Sequence, residues 1–306
     1  TTGYLASPSG VGYTDPLGTA LPTRKSNGAF RRAGFDFTVK YNNNIGKLKY
    51  TLGSNFVKFD QLWEVNPNED STTLKNPNTT SYHQIGFLQT AYLSAGLYQN
   101  STDIMNSPRR MASIVAPGDI IYRDVNGDGK IDGDDFRRVG KSAFPRVTYG
   151  FTADLTYGGW FMNMLWQGSG KRSIYLGDVI QSNYSTNIRY EFQTKNHWEP
   201  GGGNSQFPRL ISGAAVNGGH NAVTSDFWVI NAGYLRLKAL QVGYNFKNYL
   251  SKDLKFISDL RVTLSATNLL TFSKIKQYGL DPETGSNNNY DYPSQRVYAL
   301  SVNLGF

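Results

Sequence analysis

The chain has 306 residues, 31 Lys+Arg against 23 Asp+Glu for a net charge of +8, and no Cys. Without Cys there is no disulfide scaffold, thiolate metal site or Cys nucleophile, and the longest apolar run, about four residues at 227–230, is far below the ~20 that a membrane helix needs. The basic pairs Arg31-Arg32, Arg109-Arg110, Arg137-Arg138 and Lys171-Arg172 are scattered, so the pattern argues against a nucleic-acid partner; the mean hydropathy of −0.45 leaves a β-barrel open, because its strands alternate and average out.

The chain begins Thr1-Thr2-Gly3, with no initiator Met and no apolar leader, so a piece of a longer polypeptide is expected. The first period-two segment is 35–42. Phe35, Phe37, Val39 and Tyr41 fall on one face, and Asp36, Thr38, Lys40 and Asn42 on the other. A long polar stretch, 63–82, follows and reads as a functional loop.

Residues 124–135 (DVNGDGKIDGDD) fit the spacing of an EF-hand-type calcium loop. Calcium takes six to eight oxygens, so ligands at alternate positions wrap it while a glycine at position six makes the sharp turn. Asp124, Asn126 and Asp128 would give side-chain oxygens and Lys130 its carbonyl. Asp132 would act directly or through water, and Asp135 would close the shell. Ile131 would be the apolar pin between the halves of the loop. Residues 112–123 contain Pro117-Gly118 and β-branched residues, so a β scaffold rather than paired helices is expected around a structural calcium ion.

Residues 147–157 alternate again, with Val147, Tyr149, Phe151, Ala153, Leu155 and Tyr157 on one face. Gly158-Gly159 is a hairpin dipeptide, and Trp160, Met162, Met164 and Trp166 carry the apolar face onward. Residues 189–198 read as a short helix stopped by Pro200 and glycines, and 196–225 as a second long loop. In 234–246 the parity changes: Leu235 and Leu237 share one face, then Leu240, Val242, Tyr244 and Phe246. One inserted residue near Lys238–Ala239, a β-bulge, would restore a single apolar side. In 260–266, Leu260, Val262, Leu264 and Ala266 alternate with polar residues. The last segment places Tyr298, Leu300, Val302, Leu304 and Phe306 on one face up to the final residue, and reads as an assembly signal for a barrel insertion machine.

The polar faces are rich in Thr, Ser, Gly, Asn and Asp, which suits the inner wall of a wide barrel, and Tyr and Trp near strand ends suit an aromatic girdle. Alternation alone serves equally a membrane barrel and a soluble all-β domain. No nucleophile–base–acid set is present, and His83, His197 and His220 lie in separate loops, so no enzyme is expected. Trp63 and Trp198 are the aromatics placed to stack on sugar rings or simply to pack their loops.

Several ordered stretches together resemble the C-terminal part of SusC/RagA-type TonB-linked outer-membrane proteins. They are 86–99 (GFLQTAYLSAGLYQ), Asp103-Ile104, Ser107-Pro108, 117–135 (PGDIIYRDVNGDGKIDGDD), 139–149 (VGKSAFPRVTY), Trp198-Glu199-Pro200 and Phe207-Pro208-Arg209. They continue through 225–246 (SDFWVINAGYLRLKALQVGYNF), 265–272 (SATNLLTF), Asp281-Pro282-Glu283 and the terminal strand. The resemblance implies an all-β transmembrane antiparallel barrel of the roughly 22-strand transporter class, with long extracellular loops and integral in the outer membrane. It implies import of oligosaccharides or peptides, a SusD-like surface lipoprotein as partner, contact with outer-membrane lipid and insertion by the barrel assembly machinery. TonB would be engaged through a region outside this chain, and two such complexes would pair as a homodimer. Residues 1–306 would form one portion of a barrel domain, since plug, TonB box and signal peptide are not in the sequence and open edges in lipid are not viable. A scaffold barrel in an assembly or secretion complex, and a soluble calcium-binding carbohydrate-binding domain, are the alternatives.

Overall fold

The computed structural model describes residues 2–6, 25–66, 69–78, 80–84, 86–108, 110, 113–181, 190–202, 205–212, 216–247, 257–283 and 294–306. In chain order the strands are β1 (Thr2–Ala6), β2 (Lys25–Ile45), β3 (Leu48–Val65), β4 (Gln89–Ala91), β5 (Ser94–Leu97), β6 (Ile120–Tyr122) and β7 (Arg137–Val139). Then come β8 (Val147–Tyr157), β9 (Trp160–Gly170), β10 (Ser173–Tyr175), β11 (Val229–Asn231), β12 (Tyr234–Asn245), β13 (Asp259–Ser273) and β14 (Val297–Gly305). Short helices α1 (Ser71–Lys75), α2 (Ser101–Met105) and α3 (Glu191–Lys195) sit in the connections.

Eight strands form one open antiparallel sheet in the order β1-β2-β3-β8-β9-β12-β13-β14. Its register aligns the period-two faces into rows. One row runs Tyr41–Leu52–Ala153–Met164–Leu240–Ala266–Tyr298, and the next Asn43–Tyr50–Leu155–Met162–Val242–Leu264–Leu300. The opposite face carries Asn42–Thr51–Asp154–Asn163–Gln241–Ser265–Ala299. The first face is apolar and open; Leu300 is 70% exposed. A continuous apolar surface of this extent is unstable against water and suits lipid, whereas the other face can be wetted.

The bulge lies where the parity change put it. Against β9, Leu237 to Ala239 spans a single step, Trp166 to Leu165, so Lys238 is the extra residue and Leu237 joins Leu240 on the apolar side; against β13 the same two residues span Leu270 to Thr267, so there the extra residue lies on β13. Two strands exceed the alternating segments that announced them. β2 has 21 residues and β3 has 18, against the ~9–11 that a tilted strand needs to cross a bilayer. Their Arg31, Arg32, Lys58 and Asp60 continue the sheet past the apolar rows, so period-two polarity fades there. No helix of the described residues is long and apolar enough to cross a membrane.

The two ends of the sheet differ. At one end β2–β3 and β8–β9 turn through the short links 46–47 and 158–159, with Gly46 and Gly158 at positive φ (60° and 59°), a conformation that glycine adopts freely. At the other end the connections 66–146, 171–233 and 274–296 all emerge together. The hydrophobic core is there: Tyr92, Ile120, Tyr122, Ile131, Ile174, Trp228 and Ile275 form one buried cluster. Segments that read as polar loops thus fold into a cap, stitched by the pairs β4–β7, β5–β6 and β10–β11. The expected helix at 189–198 is present as α3, which is shorter and stops at Asn196.

Candidate functional site

The cap is organised around one buried carboxylate. Asp119 is fully buried and accepts from Arg209 Nε at 2.9 Å and Nη2 at 3.1 Å, from Asn221 Nδ2 at 2.8 Å and from the Ala116 N–H at 2.9 Å. A buried charge is tolerable when paired and hydrogen-bonded in this way. Asn221 Oδ1 in turn accepts the Ile120 N–H at 3.0 Å, and Tyr122 donates its hydroxyl to the His220 carbonyl at 2.7 Å. His220 Nε2 lies 2.7 Å from the Ile120 carbonyl and must donate to it. Burial pushes the imidazole pKa below its ordinary value, so the ring is neutral. His83 stacks on Tyr82 with ring centroids 4.1 Å apart, and His197 Nδ1 is 2.6 Å from the Thr194 carbonyl. The three histidines are not brought together.

Trp198, a candidate for ring stacking, is buried against Gly118 and donates Nε1 to Gln99 Oε1 at 3.2 Å; it packs the cap. Trp63 is half-buried, edge-on to Phe30 at 5.8 Å, and faces a cavity.

The 124–135 loop joins β6 to β7 and is flanked by strands, as expected. Ile131 is buried in the core and Asp135 is fully buried. Asp124 accepts the N–H groups of Gly127 at 2.6 Å and Gly129 at 2.7 Å. Asn126 accepts from Asp128 N–H, Asp128 from Lys130 N–H and Asp132 from Asp134 N–H. Asp135 takes the N–H groups of Val125 and Asp132. Among the described residues no three His, Asp or Glu side chains converge as a metal group. The donor set fits calcium in kind and order, and each oxygen holding one N–H retains a lone pair, but in this geometry the side chains serve the loop's own backbone.

The polar face of the sheet meets the cap at two neighbouring cavities. The larger, about 740 Å³, is walled by Arg32, Phe59, Gln61, Trp63, Phe144 and Thr148, among others. The smaller, about 430 Å³, shares Phe144 and Thr148 and is walled further by Gln167, Arg172 and Tyr234. Beside it Arg236, buried on β12, pairs with Asp281 at 2.7 Å and Glu283 at 3.2 Å, and Lys238 reaches Glu283 at 2.7 Å. These bonds clamp 281–283 onto the sheet. Arg32 and Arg172 read only as members of scattered basic pairs, and Asp119 and Phe144 lie in the resembling stretches 117–135 and 139–149 with no role of their own. Tyr298, Leu300, Val302 and Leu304 line the apolar face of β14, with Phe306 just beyond its end.

No protein-family profile matches the chain. TonB-dependent receptor P3 of Formosa agariphila is 28% identical over 232 residues, covering 70% of this chain and 22% of that protein. TonB-dependent receptor SusC of Bacteroides thetaiotaomicron is 22% identical over 309 residues, covering 95% of this chain and 28% of that protein. Two solved structures share the fold. The RagAB peptide importer in its open-open state has a TM-score of 0.71 at 20% identity, covering 100% of this chain and 31% of its own. The RagAB peptide transporter has a TM-score of 0.69 at 19% identity, covering 92% and 30%. The fold is therefore that of the TonB-dependent β-barrel class. Within it, the chain is similar in sequence to TonB-dependent receptors, SusC among them; these relatives are receptors, not enzymes, and the chain spans about a quarter of their length.

Proposed function

We propose that the chain supplies part of the wall and the extracellular cap of a roughly 22-strand outer-membrane barrel that imports oligosaccharides or peptides, with TonB acting through a region outside this chain. The observation that carries this reading is the pair of apolar rows crossing seven strands on one face, opposite rows of Thr, Asn, Asp and Gln. Lipid accepts the first face and a water-filled lumen the second. The same exposed rows count against a soluble carbohydrate-binding domain. A SusD-like lipoprotein would sit over the cap, in a complex that pairs as a dimer. The strand holding Tyr298, Leu300, Val302, Leu304 and Phe306 would be read by the barrel assembly machinery. The decisive experiment is extraction of the full-length protein from cells: it should need detergent, show heat-modifiable mobility and co-purify with a lipoprotein. Recovery in the aqueous fraction would sink the reading.

A calcium ion in the 124–135 loop is a second element of the proposal, supported by oxygen donors at alternate positions, Gly129 at φ 83° and the anchoring of Ile131 in the core. It would brace the cap and take no part in transport chemistry.

A further inference from the structure

The smaller cavity, about 430 Å³, falls within the size range of ligand pockets. Three residues of its wall hold a buried polar atom with no hydrogen-bond partner: Ser169 Oγ, Arg172 Nε and Glu283 Oε1. Ser169 and Arg172 are 4% and 5% exposed. Buried polar groups are rarely left unpaired, and each such group calls for an explanation. The two charged groups are otherwise in use. Arg172 donates Nη1 to the Pro282 carbonyl at 2.6 Å. Glu283 holds Lys238 at 2.7 Å and Arg236 at 3.2 Å through Oε2, so the clamp fixes the carboxylate and leaves its other oxygen spare. Tyr234 walls the cavity beside the same carboxylate. Phe144 lines it too and is 79% exposed, a bare aromatic surface.

These atoms sort ligands by chemistry. Glu283 Oε1 only accepts, Arg172 Nε only donates and Ser169 Oγ does either. A carboxylate or sulfate would meet the Glu283 charge, and an ammonium would meet the Arg172 charge; mismatches of this kind reject a ligand. A hydroxyl donates and accepts from one atom, so a ring with adjacent hydroxyls answers all three. An amide does both as well, but an extended peptide is held through a free strand edge. The strand residues of this wall are paired on both sides: Thr148 with Val57 and Ser169, Gln167 with Gly150 and Arg236, and Tyr234 with Ser169 and Ser273. The unpaired edge of β3 beyond Lys58 borders the larger cavity. We propose that the smaller cavity is a binding subsite for an uncharged sugar residue of an oligosaccharide. Ser169, Arg172 and Glu283 hold its hydroxyls and its ring stacks on Phe144, since an aromatic face suits the apolar face of a pyranose. This inference rests on the importer reading and specifies its substrate class.

The test is calorimetric titration of the full-length protein in detergent. The probes are neutral oligomers of glucose, mannose, galactose and xylose, an oligogalacturonate, a chitosan oligomer and an uncharged peptide, all of matched length. At least one neutral oligomer should bind about ten-fold tighter than either charged sugar or the peptide. Ser169→Ala removes an atom that bonds nothing in the fold, so it should leave the melting temperature unchanged and lower that affinity about five-fold. Phe144→Ala, at an exposed position, should lower it as well. Glu283→Gln keeps the shape and removes the charge, and should narrow the gap between the acidic and the neutral chain; a merely structural role would weaken both alike. No binding of any neutral oligomer, tighter binding of a charged sugar or the peptide, unchanged affinity in Ser169→Ala and Phe144→Ala, or a gap that Glu283→Gln leaves as it was would overturn the proposal. Uptake of the tightest-bound oligomer by cells separates the two readings. Binding without uptake fails the importer alone, and uptake without binding at this cavity fails the subsite alone.

Discussion

Trp198 lies so close to Gly118 that a β-carbon there would stand 2.4 Å from the ring carbon Cε3. Gly118 also holds φ at 90°, a value that side-chain-bearing residues avoid. The contact places the indole as a plate over the chain reversal leading into Asp119.

Gly118→Ala should therefore destabilise the cap. Backbone strain alone costs about 1–3 kcal/mol, and displacement of Trp198 adds to it. Limited proteolysis of the full-length protein in detergent should show faster nicking within 113–123, with the sheet intact. Unchanged nicking would mean that the ring moves aside freely.

Deleting Lys238 should be milder than deleting Gln241. Without Lys238, Leu235, Leu237 and Leu240 stand at alternate positions opposite Gly168, Trp166 and Met164 with no bulge, so they keep one face. Without Gln241, Val242 and Tyr244 turn to the polar side, since a one-residue slip exchanges the faces of a strand. The heat-modifiable form should survive the first deletion and be lost in the second; loss in both would mean that the bulge itself is required.

The apolar rows predict a sharp contrast between neighbours on β14. Leu300→Arg puts a charge on the apolar side and should cost about 2–4 kcal/mol if that side faces lipid near the midplane. Ser301→Arg, on the other face, should cost little. Refolding yields into lipid vesicles measure both; equal losses would contradict the orientation of the sheet.

His220 makes the cap pH-sensitive. Its pKa is lowered by burial, so the unfolded state takes up a proton first as pH falls. The stability contributed by the neutral ring is complete above the ordinary histidine value of about 6.5 and drains away as pH drops towards the lower folded value. Hydrogen exchange at Ile120 and Tyr122 should accelerate below that point, and His220→Gln should remove this acid-dependent step.

If calcium occupies the 124–135 loop, Asp128→Ala should lower the melting temperature of the cap in calcium and change little in chelator. Equal losses in both would reduce the loop to a set of backbone turns.

The wall was legible because period two is local. Residues 147–157 and 160–166 announced β8 and β9, and the parity change announced the bulge. The cap was not legible, for two physical reasons. Its strands are short: β4, β6, β7, β10 and β11 have three residues each, too few to show a period. Its polar bonds are long-range, as between Ile120 and Asn221, 101 residues apart. Arg172 illustrates the cost: beside Lys171 it reads as a solvated pair, yet the fold buries it.

Each long connection of the cap leaves and re-enters the sheet on adjacent strands: β3 with β8, β9 with β12, β13 with β14. The sheet, not the cap, therefore fixes the end-to-end distance of every connection. With closure already imposed, doubling the length of a connection adds only about 0.6 kcal/mol of entropy. Such a frame lets the cap take insertions and deletions between fixed posts without disturbing the register of the wall.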